Sequence, residues 1–227
     1  MPAPEPVAEP DLLHADAVRV LHDWEPADES QERLRLAYLR HLVEHSDGMW
    51  RSCRPDHLTA STVIVGASAD QVLLTLHRRL GRWLQTGGHC EPGDQTLLAA
   101  ARREAVEESG IRGLWVDPVP LRLDRHRVAC GPREPARHLD VQFLAVAPAA
   151  AQEQVSAEST ALGWFGVEAL PDSADSSVRA LVAAARTRLT TTRGSAHHNS
   201  RIAGPQAADR GTTSRGSRDH KPRIAGS

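Results

Sequence analysis

The sequence predicts an α/β fold in which a mixed sheet lies between helices. Two segments of strand-forming residues, 61–65 and 71–76, flank a short turn. A helical pattern over 96–109 separates them from extended segments at 114–116, 121–128 and 139–146. A second helical pattern, 177–189, follows a short strand at Trp164 and Phe165. Strands with one embedded helix and one closing helix give a sheet covered on both faces.

In chain order, residues 1–10 are proline-rich and read as loose. Leu12, Leu13, Ala17, Val20, Leu21 and Trp24 then recur at helical spacing, and Pro26 ends that helix. Asp28 followed by Gln31 resembles a capping box, and Leu34, Tyr38, Leu42 and Val43 form the apolar stripe of a second helix reaching about His45. Gly48 breaks the pattern. These helices form an N-terminal extension, 1–48, that would cover a sheet edge or make a dimer interface. Strand character begins at Leu58, with turns at 67–70 and 79–81. Trp83, Leu84 and Gln85 lead as a short strand into 87–94. That stretch reads as a loop, because glycine supplies backbone angles other residues avoid and Pro92 forbids a central strand. Thr96 or Asp94 caps the next helix, and Gly110 sits where a left-handed C-terminal residue belongs. Residues 130–137 turn the chain between two strands, and Val178, Leu181, Val182 and Ala185 face inward from the closing helix. The main body is 49–192. From Thr190 onward Ser, Thr, Gly, Arg and His dominate. Such a segment buries too little to offset its ordering entropy, so 193–227 reads as a disordered basic tail.

Composition narrows the function. No run of about 18 apolar residues exists, so no membrane span is expected. The first residues lack the basic start and apolar core of a signal peptide. Cys53, Cys90 and Cys130 are too few and too scattered for a disulfide framework, which points to a reduced, cytoplasmic protein. Lys221 is the sole lysine, excluding a Gly-Lys-Ser/Thr phosphate loop and a Schiff-base lysine in the folded body. Phosphates would have to be held by metal, arginine and backbone N–H groups. Residues 193–227 carry seven cations against two carboxylates, net +5, leaving −7 on residues 1–192 of a chain that is −2 overall. An acidic body with 4% aromatic residues disfavours nucleic acid as the main partner.

The chemistry concentrates in 87–111. Glu104, Glu107 and Glu108 stand at i, i+3 and i+4 and share one helix face. Like charges at that spacing each cost a few tenths of a kcal/mol, and the C-terminal half of a helix disfavours anions. A hard divalent cation would reverse the sign of that cost; Mg²⁺ typically takes one or two carboxylates plus substrate phosphates. Arg103 is placed to orient Glu107. A Glu-rich face alone would read as solvated, but the glycines just upstream change the balance.

Taken together, these halves resemble the Nudix box of the Nudix hydrolase family: a Gly, five residues and an acid, then Arg-Glu-x-x-Glu-Glu-x-Gly-hydrophobic. Gly88 matches the first glycine, and Arg103, Glu104, Glu107, Glu108, Gly110 and Ile111 match the second segment. Asp94 stands where the family has Glu, and the gap from it to Arg103 is one residue longer than the usual seven. The glutamate register is untouched. What Asp94 does, and whether Arg102 or Arg103 orients the glutamates, is left open, with register favouring Arg103. The resemblance covers about 57–190 and implies an α/β/α sandwich. It also implies Mg²⁺ or Mn²⁺ on Glu104, Glu107 and Glu108, with the Gly87-Gly88 backbone lining the metal site. The implied activity is that of a Nudix-type pyrophosphohydrolase, cleaving a phosphoanhydride in a nucleoside diphosphate linked to another group. Glu107, Glu108 and Arg103 would be catalytic, with the general base either in the box or in a late loop, where Glu158 is the candidate.

For the small-molecule diphosphate substrate, Arg122, Arg125, His126, Arg127, Arg137 and His138 gather around one turn, and arginine forks suit phosphate oxygens. Gly88, Arg125, His126 and His138 are the substrate-binding candidates; an exposed arginine-rich hairpin is the competing reading. A zinc site from Cys53, His77, His89 and Cys90 matches no compact zinc spacing. The functional alternative is a non-catalytic Nudix-like domain that binds a nucleotide or phosphorylated metabolite and regulates a partner. The intact glutamates favour the enzyme, since a pure binder has no need of a self-repelling set.

Overall fold

The computed structural model describes residues 11–54, 56–128, 136–156 and 159–202, of which 128 and 193–202 by backbone alone. The chain divides at Thr191 into two units. In the first, Asp11 caps helix α1 (Leu12–Asp23) by accepting from the Leu13 and His14 amides, and Leu13, Ala17 and Leu21 form its buried stripe. Asp28 caps α2 (Glu29–Glu44) in the same way through Ser30 and Gln31. The expected capping box does not close. The Gln31 side chain turns away from the cap to the strand β6 (Arg122–Val128), where its amide donates to the Leu123 carbonyl at 3.1 Å and accepts from the Leu123 N–H at 2.7 Å. It thus serves as a peptide group on the edge of that strand, and both backbone groups it satisfies are buried. Tyr38 donates to the Asp124 carbonyl at 2.6 Å and Trp24 to the Pro120 carbonyl at 2.7 Å. The N-terminal helices therefore cover a sheet edge. Val43 lies off their stripe, 84% exposed.

Among the described residues the sheet has eight strands: β1 (Asp56–Val65), β2 (Gln71–His77), β3 (Trp83–Leu84), β4 (Thr86–His89), β5 (Trp115–Val116), β6, β7 (Ala136–Val146) and β8 (Ser159–Gly166). β1 and β7 run parallel in register over ten residues, Asp56 beside Arg137 through Val65 beside Val146, and every other pairing is antiparallel. The outer edge of β1 is shared, β4 taking Thr59–Thr62 and β2 taking Ile64 and Val65. The outer edge of β7 is likewise shared between β6 and β5. The sheet consequently forks at both sides of its central pair.

Alternation along β1 separates two layers. Leu58, Ala60, Thr62 and Ile64 face α3 (Leu97–Ser109) and the N-terminal helices, where Ala100, Ala101 and Ala105 allow close approach and Thr62 donates to the Ala101 carbonyl. Val63 and Val65 face α4 (Ser176–Ile202) with Val72, Leu74 and Leu144. Thr96, not Asp94, caps α3, and Gly110 ends it with φ of 70°. The result is the mixed sheet between helices, the α/β/α sandwich, that the sequence predicts.

Several boundaries differ from expectation. Thr86–His89 is a strand although it was expected to be loop, because Gly87, at φ 153° and without a Cβ, lies directly against Ser61 on β1. β1 begins two residues early and β8 is eight residues long, each lengthened by a partner strand. The backbone of α4 runs to Ile202, beyond the helix end expected at Leu189. Among the described residues no helix is long and apolar enough to cross a membrane.

Candidate active site

The repelling glutamates of α3 are turned onto the glycine strand. Glu108 is buried and accepts from the Gly87 N–H at 3.0 Å. Glu104 lies so close to Gly88 that a Cβ there would stand 2.6 Å from its Oε1. Glu107, one helical turn on from Glu104, has 59% of its side chain exposed. Gly87 and Gly88 thus present a side-chain-free stretch of backbone beside two of the three carboxylates.

Arg103 ties this arrangement together. Its Nε and Nη2 donate to Asp94 at 3.2 and 2.9 Å, Nη1 to Glu104 at 2.9 Å and Glu107 at 3.1 Å, and Nη2 to the His89 carbonyl at 2.9 Å. The hydrogen bonds to Asp94 and Glu104 hold the guanidinium firmly in its charged form, outweighing partial burial. Asp94 also accepts from the Glu91 N–H at 2.8 Å and closes the turn between β4 and α3. The structure thereby resolves two points that spacing left open. Asp94 reaches the arginine across the extra residue, and it reaches Arg103; Arg102 is exposed.

The basic hairpin separates by strand parity. His126 stands directly across from His138, with ring centroids 5.3 Å apart, whereas Arg125 pairs with Leu139 and points to the opposite face. Arg125 is therefore not grouped with His126 and His138, and Gly88 faces Glu104 on the α3 side. Arg137 is paired with Asp56 at 2.9 Å, and Arg122 donates to the Ser177 carbonyl of α4. Glu158 and Cys130 lie outside the described residues.

The sheet face opposite α3 carries polar groups that the sequence did not bring together. Fully buried Asp140 accepts from Thr59 at 2.9 Å, Ser61 at 2.6 Å and Gln142 at 3.0 Å; burial raises its pKa while these hydrogen bonds oppose the shift. Next to it, His57, His89 and His138 form a triangle with ring centroids 4.8 to 5.1 Å apart. Burial, with the neighbouring rings, lowers His89 to about 4 and His138 to about 2, and burial also lowers His57. All three are therefore neutral near pH 7. At the border of the cluster Asp124 holds His126 Nδ1 at 2.9 Å; burial opposes the charged imidazole, but this hydrogen bond and the Asp140 charge raise its pKa. Of this group only His126 and His138 were substrate-binding candidates; His89 was weighed as a zinc ligand, with Cys53, His77 and Cys90 as its companions, and His57 was not singled out. The missed signal is the alternation His57, Thr59, Ser61, a polar series on one face of a strand that is otherwise buried.

Comparison with known proteins follows the same lines. A model of the NUDIX domain matches residues 55–185, more than half of the chain and all of the glycine and glutamate site. Among solved structures the chain is similar to a hydrolase of the NUDIX family from Clostridium perfringens, at 25% identity over 57% of this chain and 94% of that chain, with a TM-score of 0.45. It is also similar to a C. elegans Ap4A hydrolase binary complex, at 21% identity, 59% and 98% coverage and a TM-score of 0.49. A third is the NUDIX domain of Shewanella oneidensis NrtR complexed with ADP ribose, at 20% identity, 66% and 97% coverage and a TM-score of 0.48. No curated protein matches the chain. The family match spans the arginine-locked glutamates and the glycine strand they touch, and the chain belongs to the NUDIX domain family.

Proposed function

We propose that the chain is a divalent-metal-dependent hydrolase that cleaves a phosphoanhydride in a nucleoside diphosphate linked to another group. One observation carries this reading: Glu104 and Glu108 are packed against the bare backbone of Gly87 and Gly88 instead of being turned to solvent. Carboxylate oxygens beside peptide groups are a hard-oxygen donor set, fitting Mg²⁺ or Mn²⁺. Glu104, Glu107 and Glu108 would hold the ion, with the Gly87-Gly88 backbone lining it. A bound ion supplies charge neutralisation for phosphate oxygens and a lowered pKa for a water.

Arg103 has a positioning role. By gripping Asp94, Glu104 and the His89 carbonyl, it fixes the glutamates relative to β4. Glu107, the most exposed of the set, is best placed to meet substrate. Gly88 is retained as a substrate contact because no side chain stands between its backbone and the carboxylates. His126 and His138 are retained as a pair on their own face, and Arg125 as a separate phosphate contact. Glu158 remains the late-loop candidate for the general base beside the box glutamates. We place the protein in the cytoplasm on its cysteine usage, and a homodimer through the N-terminal helices is testable by sedimentation.

The experiment is a panel of nucleotide sugars, dinucleotides and nucleoside triphosphates with Mg²⁺ or Mn²⁺, scored for products, with Glu107→Gln as control. Metal-dependent turnover that falls at least about 100-fold in the variant is expected, on the scale of losing one electrostatic stabiliser. Unchanged activity in Glu107→Gln would refute its role. No turnover on the whole panel, with nucleotide binding retained, would favour the regulatory binding domain.

A further inference from the structure

We propose that His57, His89 and His138 form a second metal site, for a transition-metal divalent cation of the zinc class, on the sheet face opposite the glutamates. Their ligand nitrogens lie within 4.8 Å of one another. A tetrahedral ion at ~2.0–2.1 Å from each nitrogen needs them roughly 3.3 Å apart, so the rings would close by up to about 1.5 Å on binding. His57 supplies the independent observation. It is 0% exposed, and neither ring nitrogen has a hydrogen-bond partner of good geometry; the nearby Cys53 backbone favours the charged ring only weakly, and burial outweighs it. A buried imidazole with both nitrogens unsatisfied is costly unless something occupies the space it faces.

The three ligands come from three strands whose register is set by backbone pairing. His57 and His138 are direct neighbours across β1 and β7, and His89 stands across from Thr59, the next residue of β1 on the same face. Imidazole nitrogen selects zinc-like ions over Mg²⁺, which prefers oxygen, so the two sites differ in chemistry as well as position. Three protein ligands leave the fourth position to water. On β4, His89 and Gly88 are adjacent residues facing opposite sides, and the His89 carbonyl accepts from Arg103. An ion held here would pin β4 to β1 and β7, and so steady the strand on which the glutamates rest.

The test uses the full chain, stripped with chelator, in a His197→Gln/His198→Gln background that removes adjacent tail histidines. Co²⁺ is titrated as the spectroscopic probe and Zn²⁺ as competitor. Expected are one Co²⁺ per chain in a site with four-coordinate visible bands, apart from any Co²⁺ held by the glutamates, displacement of that spectrum by Zn²⁺, and a raised Tm with either ion. His57→Gln, His89→Gln and His138→Gln should each weaken binding at least about 100-fold. Metal-free melting establishes that each variant is folded, and His89→Gln, at a partly exposed position, carries the test should His57→Gln fail to fold. A Glu104→Gln/Glu107→Gln/Glu108→Gln variant should retain the Co²⁺ spectrum, so this inference and the hydrolase reading fail separately. Co²⁺ binding undiminished in the folded histidine variants, or abolished in the glutamate variant, would overturn the proposal, as would absence of four-coordinate bands in the parent.

Discussion

Replacing Arg103 by alanine isolates the interaction that holds the site together. The side chains of Asp94 and Glu104 are only 6% and 13% exposed, and both hydrogen-bond to this guanidinium. Deleting one partner of a buried charge pair leaves the other uncompensated and costs about 3–5 kcal/mol. Against a total stability of about 5–15 kcal/mol for a domain, that is a substantial fraction. Arg103→Lys keeps the charge but loses the fork that spans Asp94, Glu104 and the His89 carbonyl, so it should cost less, about 1–2 kcal/mol. The assay is urea unfolding in metal-free buffer for both variants, completed by a cycle with Asp94→Asn. A coupling energy of about 1–3 kcal/mol is expected for groups in direct contact. With the arginine gone, the carboxylates repel one another unrelieved, so added Mg²⁺ should raise the midpoint of Arg103→Ala more than that of the parent. An alanine variant destabilised by less than about 1 kcal/mol, or a vanishing coupling to Asp94, would refute the account of Arg103 as the lock of this site.

Three further outcomes follow from particular contacts. Gly87→Ala should lose about 3 kcal/mol in denaturant unfolding, because φ is 153° and the new Cβ would overlap Ser61, standing 2.6 Å from its Cα. Gln31→Leu should cost about 2–3 kcal/mol by leaving the N–H and carbonyl of Leu123 unpaired at the β6 edge, measured as a midpoint shift with the near-UV spectrum retained. Acid should destabilise the fold through the histidine triangle. The unfolded chain takes up a proton on His138 below pH 6.5, while the folded chain refuses it until about 2, so stability present above 6.5 is lost as the pH falls. At ~1.4 kcal/mol per pH unit, this one group contributes about 2 kcal/mol between pH 6.5 and 5. The check is the unfolding free energy of the parent against His138→Gln over that range. Identical slopes would show that His138 titrates alike in both states.

What was legible in the sequence was what the backbone decides within a few residues. The caps at Asp28, Thr96 and Gly110 and the shared face of Glu104, Glu107 and Glu108 depend only on helical geometry, which repeats wherever a helix forms. Local chemistry misled where a distant partner offered more. Gln31 left its cap for the unsatisfied edge of β6, and Gly87-Gly88 became strand because β1 had a face bare enough to receive it. Tertiary structure alone joined Asp94 to Arg103 across one extra residue, set His126 directly across from His138, and gathered His57, His89 and His138 from separate strands. The physical reason is strand register. A shift of one residue reverses every side chain to the other face, and that register is set by pairing between distant segments, which no local spacing records.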